Sequence, residues 1–254
     1  MFIYYVFMGE NLIMSKAEIG AESVQRTELD LVKAFNEACN RGDADLCELI
    51  LTSHVDKVVT VNGEPMLYSD VKKELRERYK EFVENKRKNI PQTSTELLPL
   101  EMEFGAYEDF DQEPDDALTP HHMPANKYMD ETFHIPFDNS WAMNLEQPNK
   151  GGRHRRTYSY GMVGMKQKLY MALDAEDALK FDVVDTIRVL KEDGLYDAKA
   201  KEKLKKYVEE YTKKEFINSK GNKVKPFSKT PKIDFDKFDD IDVNDIDAFC
   251  GALF

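Results

Sequence analysis

The sequence predicts an α+β protein in which N-terminal helices pack on a mixed, mostly antiparallel curved sheet, followed by two C-terminal helices and an extended acidic tail. Three observations support this prediction. Apolar residues recur at helical spacing in 27–39 and 69–83, a β-branched run precedes Asn62-Gly63, and two further helical patterns occupy 174–216. With 254 residues, the chain is long enough to bury a sizeable core.

The first helix is predicted to begin at Thr27, whose hydroxyl can cap it, and to bury one apolar stripe. Leu29, Val32 and Phe35 carry that stripe at three- to four-residue spacing. The Arg41-Gly42-Asp43 turn ends the helix, because glycine tolerates a positive φ. A second, short helix is expected from residue 43 or 44.

A hairpin and a third helix follow. The dipeptide Asn62-Gly63 lies between two strand-like segments and favours a tight turn. Ser69 can cap the next helix, in which Val71, Leu75 and Tyr79 share one face with Phe82 and Val83.

The order of these elements in 26–88 resembles the N-terminal half of the nuclear-transport-factor-two-like superfamily, the cone-shaped α+β domains. The resemblance implies that a curved sheet should come next, whereas this chain inserts an acidic segment. Enzymes of that superfamily carry Asp, His, Tyr or Arg inside the cone. The resemblance would give those positions to Asp138, His134, Tyr158 and Tyr160.

The middle of the chain is acidic and broken by prolines. Eight acidic residues and no basic one lie between 101 and 116, and 101–126 is interpreted as a solvated acidic insertion. Their spacing does not fit a calcium loop. Short strands are expected around 97–107, at 133–137 and at 141–145.

The histidines His121, His122 and His134 form a loose cluster in sequence. Neighbouring histidines in an extended chain point in different directions, and no cysteine lies near them. An ordinary polar loop is therefore preferred to a metal site, and no metal or cofactor is predicted. The cysteines Cys39, Cys47 and Cys250 share neither metal nor disulfide spacing, which favours a reducing compartment.

A basic and aromatic segment begins after the Gly151-Gly152 turn. Six Lys or Arg residues and no acid lie between 150 and 168, and a strand is expected there. Cations beside aromatic rings suit single-stranded nucleic acid, because phosphates are neutralised while bases stack. The candidate nucleic-acid-binding residues are Arg153, Arg155, Arg156, Tyr158, Tyr160, Lys166 and Lys168. In the alternative interpretation, the arginines pair with the acidic run at 101–116 and the tyrosines enter the core.

Two helices are expected next. The first opens with acids at 174–177 and ends at Asp193-Gly194. The second runs from about 197 to 216 and begins a region, 199–225, with ten lysines and four glutamates. Its lysine face is interpreted as solvated, with a phosphate-facing surface as the alternative.

The C-terminal segment 233–254 is expected to be an acidic docking tail behind a linker at 218–232. It holds seven aspartates and one lysine among regularly spaced apolar residues. The segment resembles the acidic tails of single-stranded-DNA-binding proteins and the terminal peptides with which viral replication and transcription proteins dock on a sliding clamp. Phe249, Leu253 and Phe254 are the candidate docking residues. Alternatively, 246–254 folds back on the body as a helix.

The N-terminal residues 1–25 are expected to be disordered or partly over-annotated, with translation starting at Met14. The apolar run in this stretch is too short to span a bilayer, so no membrane segment is predicted. The α+β domain is therefore expected to occupy 26–217, in a cytoplasmic protein.

No nucleotide-loop, dinucleotide, nucleophile-elbow or zinc-protease motif occurs in the sequence. The favoured function is a non-enzymatic accessory of nucleic-acid metabolism, of bacterial-virus type. Its predicted partners are single-stranded nucleic acid and, through the tail, a replication or transcription protein. The alternatives are a cone-shaped small-molecule-binding domain, a lyase or isomerase on that fold, and a virion structural component.

Overall fold

The computed structural model describes residues 5–8, 11–14, 40–42, 57–88, 94–110, 116–147 and 152–254. Helices together with antiparallel sheets confirm the α+β class. The two helices predicted before residue 52 lie outside the described residues, apart from the turn that ends the first. There Gly42 has a φ of 70°, as the predicted helix end requires. The chain divides into two units, 1–74 and 75–254.

In the first unit, strands β1 (Tyr5–Met8) and β2 (Asn11–Met14) form an antiparallel pair, in a stretch for which no regular structure was predicted. Strands β3 (Val58–Val61) and β4 (Glu64–Leu67) form the predicted hairpin. Asn62 and Gly63 have φ values of 55° and 85°, which a type I′ turn requires at both central positions. Helix α1 (Tyr68–Arg87) follows directly, within one residue of its predicted start.

The second unit contains a three-stranded antiparallel sheet of β5 (Phe104–Ala106), β6 (Leu118–His122) and β7 (Trp141–Glu146), with β7 in the centre. Every residue of β7 is buried, as expected for a central strand. The predicted strand at 141–145 is therefore confirmed. The region 101–126 supplies both outer strands, and so it is not the solvated insertion that was expected.

Several helices surround this sheet. The strand expected at 133–137 is wrong, because helix α2 ends at Phe133 and a 3-10 turn begins at Phe137. Both predicted C-terminal helices are present, although the second ends at Tyr211 rather than near 216. The bounds are α2 (Asn126–Phe133), α3 (Arg153–Arg156), α4 (Gly164–Met171), α5 (Ala175–Glu192) and α6 (Ala198–Tyr211).

Helix α5 forms the centre of the second unit. Its residues from Phe181 to Leu190 are buried without interruption, including three with ionisable side chains. A helix that is buried all round must satisfy such polar groups internally, because no water reaches them. From α1, Tyr79 packs its ring edge-on against Phe181 at 5.4 Å between centroids.

The last 22 residues are folded rather than extended. They form α7 (Lys237–Asp240) and α8 (Ile246–Ala252), after a small hairpin of β8 (Phe216–Ile217) and β9 (Lys223–Val224). Phe238, Phe249 and Leu253 are buried. The aspartates stay at the surface, where Asp236 lies 2.9 Å from Lys201 and Asp247 lies 2.8 Å from Lys80. The alternative in which 246–254 folds back as a helix is therefore confirmed.

Across the described ranges, none of the helices combines the length and the apolar character needed to cross a membrane.

Candidate functional site

The predicted basic segment begins with α3, a short helix instead of the expected strand. Arg153 is completely buried and forms ion pairs with Glu101 at 2.7 Å, Asp193 at 2.9 Å and Glu146 at 3.2 Å. Its Nε and Nη2 both donate to Glu101, so the pairing is bidentate. Arg153 therefore joins α3 to the sheet and to the end of α5.

Arg156 and Tyr158 are buried as well. Arg156 lies 3.3 Å from Glu192 and 2.5 Å from Asp193. The ring of Tyr158 packs against Phe82 and Phe181, each at 5.1 Å between centroids. The alternative of arginines paired with the acidic run and tyrosines in the core is thus confirmed for Arg153, which holds Glu101, and for Tyr158. This corrects the expectation that 153–168 presents one continuous surface.

The other predicted residues of this segment are accessible. Arg155, Tyr160 and Lys166 are half-buried and Lys168 is exposed. Whether they bind nucleic acid stays a prediction. Of the positions taken from the cone-shaped superfamily, His134 occupies the left-handed turn that ends α2 and Asp138 lies in the 3-10 turn that begins at Phe137. Tyr158 lies in the core, and Tyr160 faces a cleft.

That cleft has a volume of about 300 Å³, within the range of small-molecule sites. The end of β6, the start of α2, two 3-10 turns and the segment after α3 form its walls. The lining residues are Tyr107, Thr119, Pro120, His121, His122, Ala125, Asn126, Phe137, His154, Ser159, Tyr160 and Gly161. None of them is a carboxylate, a lysine or an arginine.

The rings of the cleft form two groups. In one, Tyr107 stacks on His122 at 5.3 Å with 15° between the planes, and Phe137 packs on Tyr107 at 4.1 Å. Phe137 remains 43% exposed, so part of its ring is accessible. The second group places His154 between His121, at 4.9 Å, and Tyr160, at 5.0 Å. A planar ligand would therefore find aromatic surfaces in both groups.

Three polar atoms of residues that line the cleft are buried without a hydrogen-bond partner: Nε2 of His121, Nε2 of His122 and Oδ1 of Asn126. Buried polar groups are almost always hydrogen-bonded, because losing water without replacement costs about 1–3 kcal/mol each. Such a concentration of unsatisfied atoms in one cleft is what a site prepared for a ligand requires.

The imidazoles of the cleft are neutral at pH 7. Burial lowers the pKa of His122 and the pKa of His154 to about 4, and the Arg155 charge also acts on His154. For His121, burial and the two neighbouring histidines lower the pKa well below its usual value. His154 Nδ1 contacts Oε1 of Gln147, so its proton belongs on Nδ1. The cleft therefore offers uncharged donors and acceptors.

A buried carboxyl supports this cleft from behind. Oδ2 of Asp182 accepts a hydrogen bond from the Ala125 backbone N–H at 3.1 Å and another from the Tyr170 hydroxyl. Burial, with a contribution from the Asp185 charge, raises the pKa of Asp182 to about 8. Asp182 is therefore protonated at neutral pH and fixes Ala125, which lines the cleft.

The predicted docking residues are largely covered. Phe249 and Leu253 are fully buried, and Phe254 is half-buried with its ring 6.1 Å from Phe181. The Arg76 guanidinium lies 5.2 Å from the Phe254 ring centroid. Docking of a partner through these three side chains stays a prediction, and it would require the tail to leave this position.

Sequence reasoning singled out His121 and His122 but missed the cleft. Within the described ranges, no three His, Cys, Asp or Glu side chains are placed to hold a metal ion. The sequence does contain residues of the cleft that stand out: the pair of histidines before Pro124, and the aromatic residues at 107, 137 and 160. Nothing in their spacing shows that β6, two turns and the segment after α3 converge.

Comparison of the chain with protein-family models, with curated proteins and with solved structures finds no match.

Proposed function

We propose that the cleft between β6 and the segment after α3 binds an uncharged, planar ring that carries both hydrogen-bond donors and acceptors. The observation that carries this proposal is the set of three unsatisfied polar atoms on residues that line the cleft. Asn126 Oδ1 accepts, while each neutral imidazole nitrogen matches a donor or an acceptor according to its tautomer. Heteroaromatic rings of nucleobase type present such an edge.

The aromatic rings support the same ligand class. Phe137 and Tyr107 expose apolar surface beside the polar atoms, and stacking a base on an aromatic ring contributes about 1–3 kcal/mol. A charged group is disfavoured inside the cleft, because no lining side chain carries a formal charge at pH 7. This function matches the small-molecule alternative drawn from the sequence.

The test is nuclear magnetic resonance of the histidine ring protons during titration with adenine, uracil and nicotinamide. Signals of His121, His122 and His154 should shift with at least one probe. The His134 signal should stay in place, because His134 ends α2 and does not line the cleft. If all three cleft histidines remain unshifted with every probe, the proposal fails.

A matched pair of variants localises the binding. Phe137→Ala should weaken the binding of the best probe by about 1–2 kcal/mol through lost stacking. Leu100→Ala should leave it unchanged, since Leu100 is 64% exposed and is not part of the lining. Equal affinities for both variants and the wild type would place binding elsewhere.

A further inference from the structure

Three neighbouring cations form no ion pair within 4.0 Å among the described residues, and one of them, Arg155, lies next to the cleft. No ion pair of Arg155, Lys86 or Lys166 with an acidic side chain occurs among the described residues, in contrast to Arg153 and Arg156. Nε of Arg155 is buried without a hydrogen-bond partner. Nε of Arg156 is unpartnered as well, but the other nitrogens of that guanidinium hold Glu192 and Asp193, whereas Arg155 has no carboxylate. Guanidinium groups are strong anion ligands, so Arg155 is the one suited to an added anion.

These cations are connected to each other and to the cleft. The Arg155 guanidinium lies 5.6 Å from the ring centroid of Tyr160, which lines the cleft. Lys86 Nζ donates to the Arg155 carbonyl at 3.0 Å. Lys86 and Lys166 share the Phe82 ring, at 5.5 and 4.1 Å from its centroid. Arg155 therefore places a positive charge beside an uncharged cleft.

Lys86 and Lys166 are partly buried, and burial changes their pKa values. Burial, together with the charges of Lys86 and Arg188, lowers the pKa of Lys166 to about 8 although Asp185 and Asp182 oppose the shift. The pKa of Lys86 is lowered as well, by burial and by Arg188. Burial therefore disfavours the charged form of both lysines.

We propose that the ligand is a nucleotide, whose base occupies the cleft and whose phosphate is bound by Arg155. This inference rests on the proposed function, because it assigns the base to the same cleft. Two sources share this chemistry: a free nucleoside monophosphate, and an unpaired nucleotide of a single strand. A base inside a duplex is excluded, because its edge is paired and its faces are stacked.

The experiment compares the four ribonucleosides with their 5′-monophosphates by isothermal titration calorimetry on the full chain. At least one monophosphate should bind about tenfold more tightly than its nucleoside, as one charge-assisted phosphate contact provides. Raising the salt concentration should weaken the binding of the monophosphate and leave the affinity for the nucleoside unchanged. A monophosphate that binds no more tightly than its nucleoside overturns the inference, and this result does not depend on any variant.

Arg155→Gln tests the assigned residue. It should remove the advantage of the monophosphate and leave nucleoside binding within about twofold. Lys206→Gln is the matched control, because Lys206 lies exposed on α6 and pairs with Glu202. If Arg155→Gln weakens both ligands equally, or neither, Arg155 is not the phosphate ligand and the assignment is overturned.

Twelve-residue oligonucleotides separate the two sources. A single strand that binds more tightly than the monophosphate, with affinity falling as salt rises, identifies a strand as the ligand. A single strand no tighter than the monophosphate identifies a free nucleotide. Duplex binding equal to single-strand binding contradicts the inference. If no nucleoside or monophosphate binds while adenine, uracil or nicotinamide still shifts the cleft histidines, the nucleotide inference fails and the proposed function stands.

Discussion

The side chains on the two sides of helix α3 differ in their surroundings. Arg153 and Arg156 enter the interior and are held by carboxylates, with Arg153 contacting three of them. His154 and Arg155 face the other way, toward a cleft with unsatisfied polar atoms. Four consecutive basic residues thus divide between holding the fold together and bordering a candidate site, and residue type alone does not distinguish them.

The largest expected effect comes from Arg153→Met. The change leaves Glu101 buried without its bidentate partner, and breaking a buried ion pair from one side costs about 3–5 kcal/mol. The free energy of unfolding in urea measures this loss. Arg155→Met is the control and should lower stability by about 0.5 kcal/mol or less, as for most substitutions without a buried partner. Similar losses for both variants would remove the distinction between the two sides.

A comparable loss of stability is expected at the end of the chain, where apolar side chains are buried and charged ones stay at the surface. Phe249→Ala should reduce the free energy of unfolding by about 3–5 kcal/mol, because its ring is fully buried. Phe254→Ala should cost clearly less, since this ring is only half-buried. A Phe249→Ala variant as stable as the wild type would show that the tail is not seated in solution.

A smaller effect is expected from Asp182→Asn, and it depends on pH. The folded protein keeps this proton up to about pH 8, whereas an unfolded carboxyl releases it near its ordinary pKa of about 4. The folded state therefore binds more protons in this window, and the free energy of unfolding contributed by Asp182 falls as pH rises.

Asparagine resembles the protonated carboxyl, and its oxygen can accept from the Ala125 N–H as Asp182 does. In the variant, the free energy of unfolding should lack the decrease with pH that Asp182 causes. At pH 8 it should be higher than that of the wild type by about 1–3 kcal/mol. Urea unfolding between pH 5 and pH 8 measures both slopes. If the free energy of unfolding changes with pH in the same way for variant and wild type, Asp182 is not protonated in the folded protein.

The smallest effect on stability is expected from His121→Leu, and its sign is opposite to that of Arg153→Met. Nε2 of His121 is buried and unsatisfied, so removing it should stabilise the fold by about 1 kcal/mol while abolishing ligand binding in the cleft. Thermal unfolding together with probe titration measures both. A loss of more than about 1 kcal/mol would show that His121 is held by the fold itself.

The sequence by itself determined the local elements of the described chain. Periodicity and capping predicted α1 and α5, and Asn62-Gly63 predicted the hairpin, because these signals lie within a few residues of the structure that they specify. The α+β class followed from those elements.

Only the tertiary structure decided which charges are buried and where the cleft forms. Arg153 and Arg155 are chemically identical in sequence, and their difference arises from Glu101 and Asp193, which lie 52 and 40 residues from Arg153. Likewise His121 meets His154 across 33 positions, because strand pairing and the return of the chain after β7 set their approach. Contacts over such separations depend on how elements pack, and local pattern carries no record of that packing.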